Sequence, residues 1–201
     1  MFSLKGRVAV VTGASSGLGY QMAKGFAEQG ADVVIMARRL ERLEKNAEEI
    51  RALRVKCLPV QCDVTSTEQI EKAAETVIKE FGKVDILVNN AGASRNAGVL
   101  DMTDEDWDFT LNADLTSVFK VTRAFAKHMV ERKYGRIINI ASIYGQVGNT
   151  AMDTIAYHSS KGGVVNFTRA VAAELAQYNI TCNTISPGYF ETELTKDTLD
   201  T

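Results

Sequence analysis

Cysteine, proline and histidine are all scarce in this 201-residue chain, and each scarcity excludes something. The three cysteines, Cys57, Cys62 and Cys182, are odd in number and show no CxxC spacing. That speaks against a disulfide framework or a zinc site and for reduced thiols in a cytoplasmic protein. His128 and His158 are the only histidines, too few for a histidine metal site or triad, so acid–base chemistry has to use another residue type. With two prolines and no repeat or low-complexity tract, nothing reads as an interdomain linker. Charge of one sign is also missing: 23 basic residues against 25 acidic ones, spread along the chain, point to neither nucleic acid nor an anionic membrane as partner. No run approaches the roughly 20 apolar residues that span a bilayer. The start, MFSLKGRVAVV, lacks the long apolar core of a secretion signal. With 45% hydrophobic and 24% charged residues, residues 1–201 read as one globular domain.

What is present is strand–helix alternation. RVAVVTG (7–13), DVVIMA (32–37), KCLPVQCDV (56–64), VDILVNNAG (84–92), GRIINIAS (135–142) and ITCNTISPG (180–188) read as six strands, with Pro59 in the middle of the third. Helical patterns lie between them. One of these, 66–82, opens on a Ser or Thr cap and closes on Gly82, and another runs from about Thr103 to Lys133. Strands that are near-continuous apolar runs are buried on both faces, so the expected class is α/β: a Rossmann-type, doubly wound parallel sheet with helices on both sides. Ligands in such sheets bind beyond the C-terminal ends of the strands.

The unusual residue clusters fall at those ends. TGASSGLG (12–19), between strand one and helix one, supplies Gly13, Ser15, Ser16, Gly17, Leu18 and Gly19. Its glycines permit a tight turn and backbone approach to a pyrophosphate facing a helix N-terminus. The spacing is GxxxGxG, not the general GxGxxG. Strand two ends without the acid that would hold a ribose 2′-hydroxyl and instead offers Arg38 and Arg39. Guanidinium forks suit a 2′-phosphate, so NADP(H) is preferred over NAD(H), which stays possible; the alternative is pairing with Glu41 or Glu44. Asp63 and Val64 end strand three, where Asp63 can accept from an adenine amino group.

Ser142 ends strand five, and the helix beyond it carries Tyr157 and Lys161 four residues apart, on one face. A phenol ordinarily titrates near 10. An ammonium charge beside it favours the phenolate and makes it a usable general acid or base near neutral pH. A serine hydroxyl can hold a carbonyl oxygen as charge develops there. This set suits hydride transfer between a nicotinamide and a carbonyl or alcohol carbon, with the protein handling the proton. His158, next along the helix, points off that face. Arg95, in ASRNAG, can anchor a substrate carboxylate or remain a solvated loop arginine.

TGASSGLG, NNAG, IAS, YHSSK and PGYFET, in this order over the whole chain, resemble the short-chain dehydrogenase/reductase family. The resemblance implies that Ser142, Tyr157 and Lys161 are catalytic and that Lys161 also binds the nicotinamide ribose. It implies that Asn90, Ala91 and Gly92 contact the adenosine side, that Pro187 and Gly188, which redirect the chain, bind the cofactor, and that Phe190 and Thr192 lie near the carboxamide. FSLKGRVAVVTGAS, HMVERKYGRIINIAS and SPGYFETELT further resemble gluconate 5-dehydrogenase-like members, which interconvert gluconate and its 5-keto form. A 3-oxoacyl-carrier-protein reductase or hydroxysteroid dehydrogenase on the same scaffold is the alternative, and a nucleotide-binding regulator of low turnover is a reading of another class.

There are two departures. The family's fourth catalytic residue is an Asn seven residues after a tryptophan, and counting from Trp107 lands on Asp114, with Asn112 two positions short. Asp114 can still hold a relay water, but it places a negative charge near Lys161. The chain also stops at Thr201, where family members continue into a lid and a seventh strand, so an exposed apolar sheet edge is expected. Apolar residues spread over two long helices, among them Trp107, Phe125 and Phe167, are explained mostly by core packing; the resemblance implies that the excess forms a helix–helix subunit interface, and so a homo-oligomer, a dimer or a homotetramer.

Overall fold

A computed structural model describes residues 2–150 and 152–190. Six parallel strands, β1 (Val8–Thr12), β2 (Asp32–Ala37), β3 (Cys57–Gln61), β4 (Ile86–Asn89), β5 (Gly135–Ile140) and β6 (Ile180–Ile185), form one sheet. Their order is β3-β2-β1-β4-β5-β6. The connections are α1 (Gly17–Glu28), α2 (Leu40–Arg51), α3 (Thr67–Phe81), α4 (Asp104–Leu111), α5 (Ser117–Arg132) and α6 (Ile155–Leu175). The order reverses between β1 and β4, which opens a crevice there at the strands' C-terminal ends.

The strands read as apolar runs because both faces are covered. Along β1, Val8 and Val10 join a core with α3 and α5, through Ile70, Val77, Phe125 and Met129. Ala9 and Val11 alternate into a second core with α1 and α2, through Ala23, Ala27, Leu43 and Ile50. Each fully buried Leu, Ile, Val or Phe contributes roughly 1.5–3 kcal/mol, so most of the fold's stability lies in these two layers. Pro59 is accommodated because β3 is an edge strand, where one missing ladder donor is tolerated.

Helix boundaries follow local chemistry. Ser66 caps α3 by accepting from the Gln69 N–H at 3.3 Å, and Gly82 ends it at φ +69°. The expected helix from Thr103 to Lys133 is continuous but carries one π turn, Asn112–Thr116, between α4 and α5. Among the described residues β6 is the other edge. Its exposed side chains, Thr181, Asn183 and Ile185, alternate with Ile180 and Cys182, which enter the core.

At the opposite end of the sheet from the crevice, Asp85 is fully buried. It accepts from the Val8 N–H at 2.9 Å and pairs with Lys83 at 3.0 Å and Arg7 at 3.2 Å. Burial pushes this carboxyl up, but bonds from Lys83, Val8 and Arg7 outweigh it and hold it below the usual carboxylate range. Asn89 donates to Thr122 at 2.9 Å and to Asn139 at 2.8 Å, and Asn139 donates to Thr168 at 2.9 Å. This polar belt ties β4 and β5 to α5 and α6.

Candidate active site

β1 ends at Thr12 and α1 begins at Gly17, leaving a four-residue loop over the crevice. Gly13 holds φ +67°, and a Cβ there would stand 2.8 Å from the Ala91 Cα. Both facts demand glycine. Thr12 fastens this loop to the segment after β4. Its Oγ1 accepts from the N–H groups of Asn90 at 2.9 Å and Ala91 at 3.0 Å, and donates to the Val88 carbonyl at 3.3 Å. The Asn90 amide in turn donates to the Thr12 carbonyl at 3.0 Å. NNAG therefore braces the glycine loop as well as lining the crevice.

The crevice is a cleft of about 540 Å³. It brings together Gly13, Ser15, Ser16, Gly17, Leu18, Gly19, Arg38, Arg39, Asp63, Val64, Asn90, Ala91 and Gly92, all expected at a dinucleotide site, and adds Phe109, Asn112 and Ala113. The Arg39 guanidinium donates to the Ser15 hydroxyl at 2.9 Å and the Ser16 hydroxyl at 3.0 Å, and so lies across the glycine loop. Asp63 accepts from the Thr65 N–H at 2.9 Å and hydroxyl at 2.7 Å. Burial pushes Asp63 up, yet these bonds and the Arg38 charge leave it below the usual range. The chain's own groups thus fit a dinucleotide: a glycine turn that a Cβ would fill, a helix N-terminus, and two guanidinium side chains at the rim.

A second cleft of about 140 Å³ adjoins the first and shares Leu18, Asn90, Gly92 and Ala93 with it. Ser142, Tyr157, Lys161, Asp114, Pro187, Gly188 and Phe190 line it. Thr192 lies outside the described residues. Tyr157 and Lys161 stand in the first two turns of α6. The Lys161 Nζ is 5.5 Å from the Tyr157 ring centroid and donates to the Ile140 carbonyl at 3.2 Å. Ser142 accepts from the Tyr144 N–H at 3.2 Å, which leaves its own proton to donate. The small residues beside Lys161 have a packing reason: a Cβ on Gly163 would come 2.7 Å from Leu115, so α6 lies directly against the π turn.

That π turn aims Asp114 into the cleft. The residue is 1% exposed, its Oδ1 accepts from the Ala93 N–H at 2.7 Å, and its Oδ2 lies 3.7 Å from the Lys161 Nζ. Burial pushes the Asp114 carboxyl up, and Lys161 and the Ala93 N–H offset this only in part. Arg95 is placed elsewhere. Its guanidinium pairs with Asp106 at 2.8 Å and Glu105 at 3.0 Å and lies over the Phe109 ring, outside the lining of either cleft. Arg95, expected as a carboxylate anchor, is thus held by two adjacent acids in the first turn of α4.

His158 is structural, as its position next to Tyr157 implies. It stacks on Tyr144 with ring centroids 4.6 Å apart, and its Nδ1 lies 2.9 Å from the Thr154 carbonyl. Tyr144 meets Tyr157 edge to face at 6.5 Å and shares a hydroxyl–hydroxyl bond with Tyr189. That bond, with burial and the neighbouring phenols, pushes Tyr144 up to about 12. Sequence reasoning missed this aromatic wall, and Thr12 as well. An aromatic two residues after Ser142 was the available signal for Tyr144; Thr12 carried none. Among the described residues no cluster of His, Cys, Asp or Glu could hold a metal ion, and no helix is long and apolar enough to cross a membrane.

Comparison with known proteins agrees with this geometry. The short chain dehydrogenase family profile matches residues 7–201. A 5-keto-D-gluconate 5-reductase of Escherichia coli (strain K12) is 38% identical over 197 residues, which cover 98% of this chain and 76% of that protein. A 3-oxoacyl-[acyl-carrier-protein] reductase of Thermotoga maritima is 38% identical over 193 residues, covering 96% and 78%. Among solved structures, an actinorhodin polyketide ketoreductase with NADPH superposes with a TM-score of 0.92 at 38% identity, over 100% of this chain and 77% of that one.

Proposed function

The chain belongs to the short-chain dehydrogenase family of oxidoreductases, which act on CH–OH and carbonyl groups, and we propose that it is an NADP-preferring member acting on a polyhydroxylated keto acid of the 5-keto-gluconate type. One observation carries the reading: a cleft with Ser142, Tyr157 and Lys161 on its walls opens into a cleft built for a dinucleotide. The bound nicotinamide supplies the hydride. Ser142 donates a hydrogen bond to the substrate carbonyl oxygen and holds it as charge develops, keeping its own proton. Tyr157 gives that oxygen its proton, and the Lys161 ammonium stabilises the negative oxygen left on the ring. In the oxidative direction the same proton returns to Tyr157.

The preference for NADP(H) rests on Arg38 and Arg39 at the end of β2, where no acid stands to receive a ribose 2′-hydroxyl. The substrate class rests on the similarity to the keto-gluconate reductase. Similarity to the 3-oxoacyl reductase at the same identity favours a β-keto thioester as the second reading. The protein is assigned to the cytoplasm as a homo-oligomer. Three buried free thiols and the outward faces of Trp107 and Phe119 support this.

The test follows absorbance of NADPH, with NADH beside it, on 5-keto-gluconate, a β-ketoester and a ketosteroid. Turnover of the keto-sugar acid, lost in Tyr157→Phe, supports the proposal. Turnover of another ketone alone overturns the substrate and keeps the chemistry. NADPH binding without oxidation on all three overturns the enzyme reading in favour of a regulator.

A further inference from the structure

Among the described residues, the cleft lining holds three titratable side chains, Tyr157, Lys161 and Asp114, and the other segments that line it bring no charge. The segment after β4 presents Gly92, Ala93 and Ser94, the end of β5 presents Ile140, Ala141 and Ser142, and the segment after β6 presents Pro187, Gly188 and Phe190. Arg95 is turned onto Glu105 and Asp106. The Lys161 ammonium therefore has two neighbours of opposite demand: the Tyr157 ring at 5.5 Å and the Asp114 carboxyl at 3.7 Å.

We propose that Asp114 is a positioning residue that holds the Lys161 ammonium by its charge and thereby withholds part of that charge from Tyr157. The inference rests on the roles assigned above to Tyr157 and Lys161. Three features make the carboxyl a fixed part of the site. The π turn aims it inward, the Ala93 N–H pins Oδ1, and Gly92 leaves room for it, since a Cβ there would come 2.6 Å from Oδ1. Both partners are buried, with side chains 7% and 1% exposed, so solvent screens their interaction little. The two effects of the carboxylate on Tyr157 have the same sign. It cancels much of the ammonium field, and its own negative charge opposes a second negative charge on the phenol oxygen. An uncharged amide at this position would accept from the Ala93 N–H in the same way and leave the ammonium field whole.

The experiment needs neither substrate nor cofactor. Tyrosinate absorbance is titrated in Tyr144→Phe, to remove the phenol that meets Tyr157 edge to face at 6.5 Å, and in Tyr144→Phe/Tyr157→Phe, and the difference reports Tyr157. The same pair is then measured with Asp114→Asn. The midpoint of Tyr157 ionisation is expected to fall by about one pH unit in the Asn background, the scale of one charge at this range. The pH at which alcohol oxidation rises should fall with it. An unmoved or raised midpoint overturns the proposal, because a residue of purely structural role changes amplitudes and not midpoints. Asp114→Ser, smaller and still an acceptor for Ala93, gives the same reading if the Asn variant does not fold. If no carbonyl is turned over by any form of the protein, the proposed function fails and the titration still decides the role of Asp114.

Discussion

Thr12→Val tests how the fold builds the site. The change nearly conserves volume, so it leaves the buried β-sheet packing intact and removes only the hydroxyl. That hydroxyl accepts from the Asn90 and Ala91 N–H groups and donates to the Val88 carbonyl, and Thr12 is 1% exposed. A valine leaves two amide protons facing hydrocarbon. Each unmet buried group costs about 1–3 kcal/mol, and since Asn90 and Ala91 are only partly buried, the sum is about 3 kcal/mol. For a domain of this size that lowers Tm by roughly 6–12 °C. NADPH affinity should fall as well, because the glycine loop and NNAG lose their shared clasp. The assay is calorimetric or optical melting with an NADPH titration, and Thr12→Ser is the control, which keeps the hydroxyl and should recover most of both losses. A Val variant as stable as the parent, binding NADPH equally well, would refute the argument that this hydroxyl joins β1 to the segment after β4.

Asp85→Asn should destabilise the protein at neutral pH. A carboxyl held below its unfolded value contributes stability that is present above the unfolded pKa and lost as pH falls through the folded one. Melting curves of parent and variant should therefore converge toward acid pH, and a constant gap would contradict the sign. Arg39→Ala should weaken NADPH binding by about 10–100-fold, the worth of a charge-assisted contact to phosphate, and leave NADH nearly unchanged in a fluorescence titration. Ser142→Ala should lower kcat by about 100–1,000-fold with a smaller change in KM, as loss of one donor to a developing oxyanion does in steady-state kinetics.

Much of the molecule was legible before any coordinates. Apolar runs at strand length separated by helical periods implied a parallel sheet covered on both sides, and Ser66 and Gly82 marked the ends of one helix through capping and backbone freedom, which are local. That the ends of β1, β2, β3 and β4 line one cleft was legible because they must share one edge once the strands are parallel. The pairing of Arg95 was not legible because its partners, Glu105 and Asp106, lie on a helix whose angle to the loop no local pattern encodes. The Tyr144, Tyr189 and His158 wall was missed for a related reason, since Tyr189 reaches Tyr144 from beyond β6. Asp114 was found by counting from Trp107. The π turn that aims it inward was not found, because one residue more per turn changes no hydrophobic pattern over so short a stretch.

The amino-acid order by itself determined the elements, their parallel arrangement, and the pairing of Tyr157 with Lys161 on one helical face. These follow from steric limits on the backbone and from periodicities of two and 3.6 residues, which act between near neighbours. Only the tertiary structure decided which charges meet: Lys161 with Asp114, Asp85 with Lys83 and Arg7, and Arg39 with the glycine-loop serines. Apart from the neighbours Lys83 and Asp85, those pairings join residues that the chain separates and tertiary packing brings within a few ångströms. Electrostatic energy depends on that distance and on burial, and neither can be read along the chain.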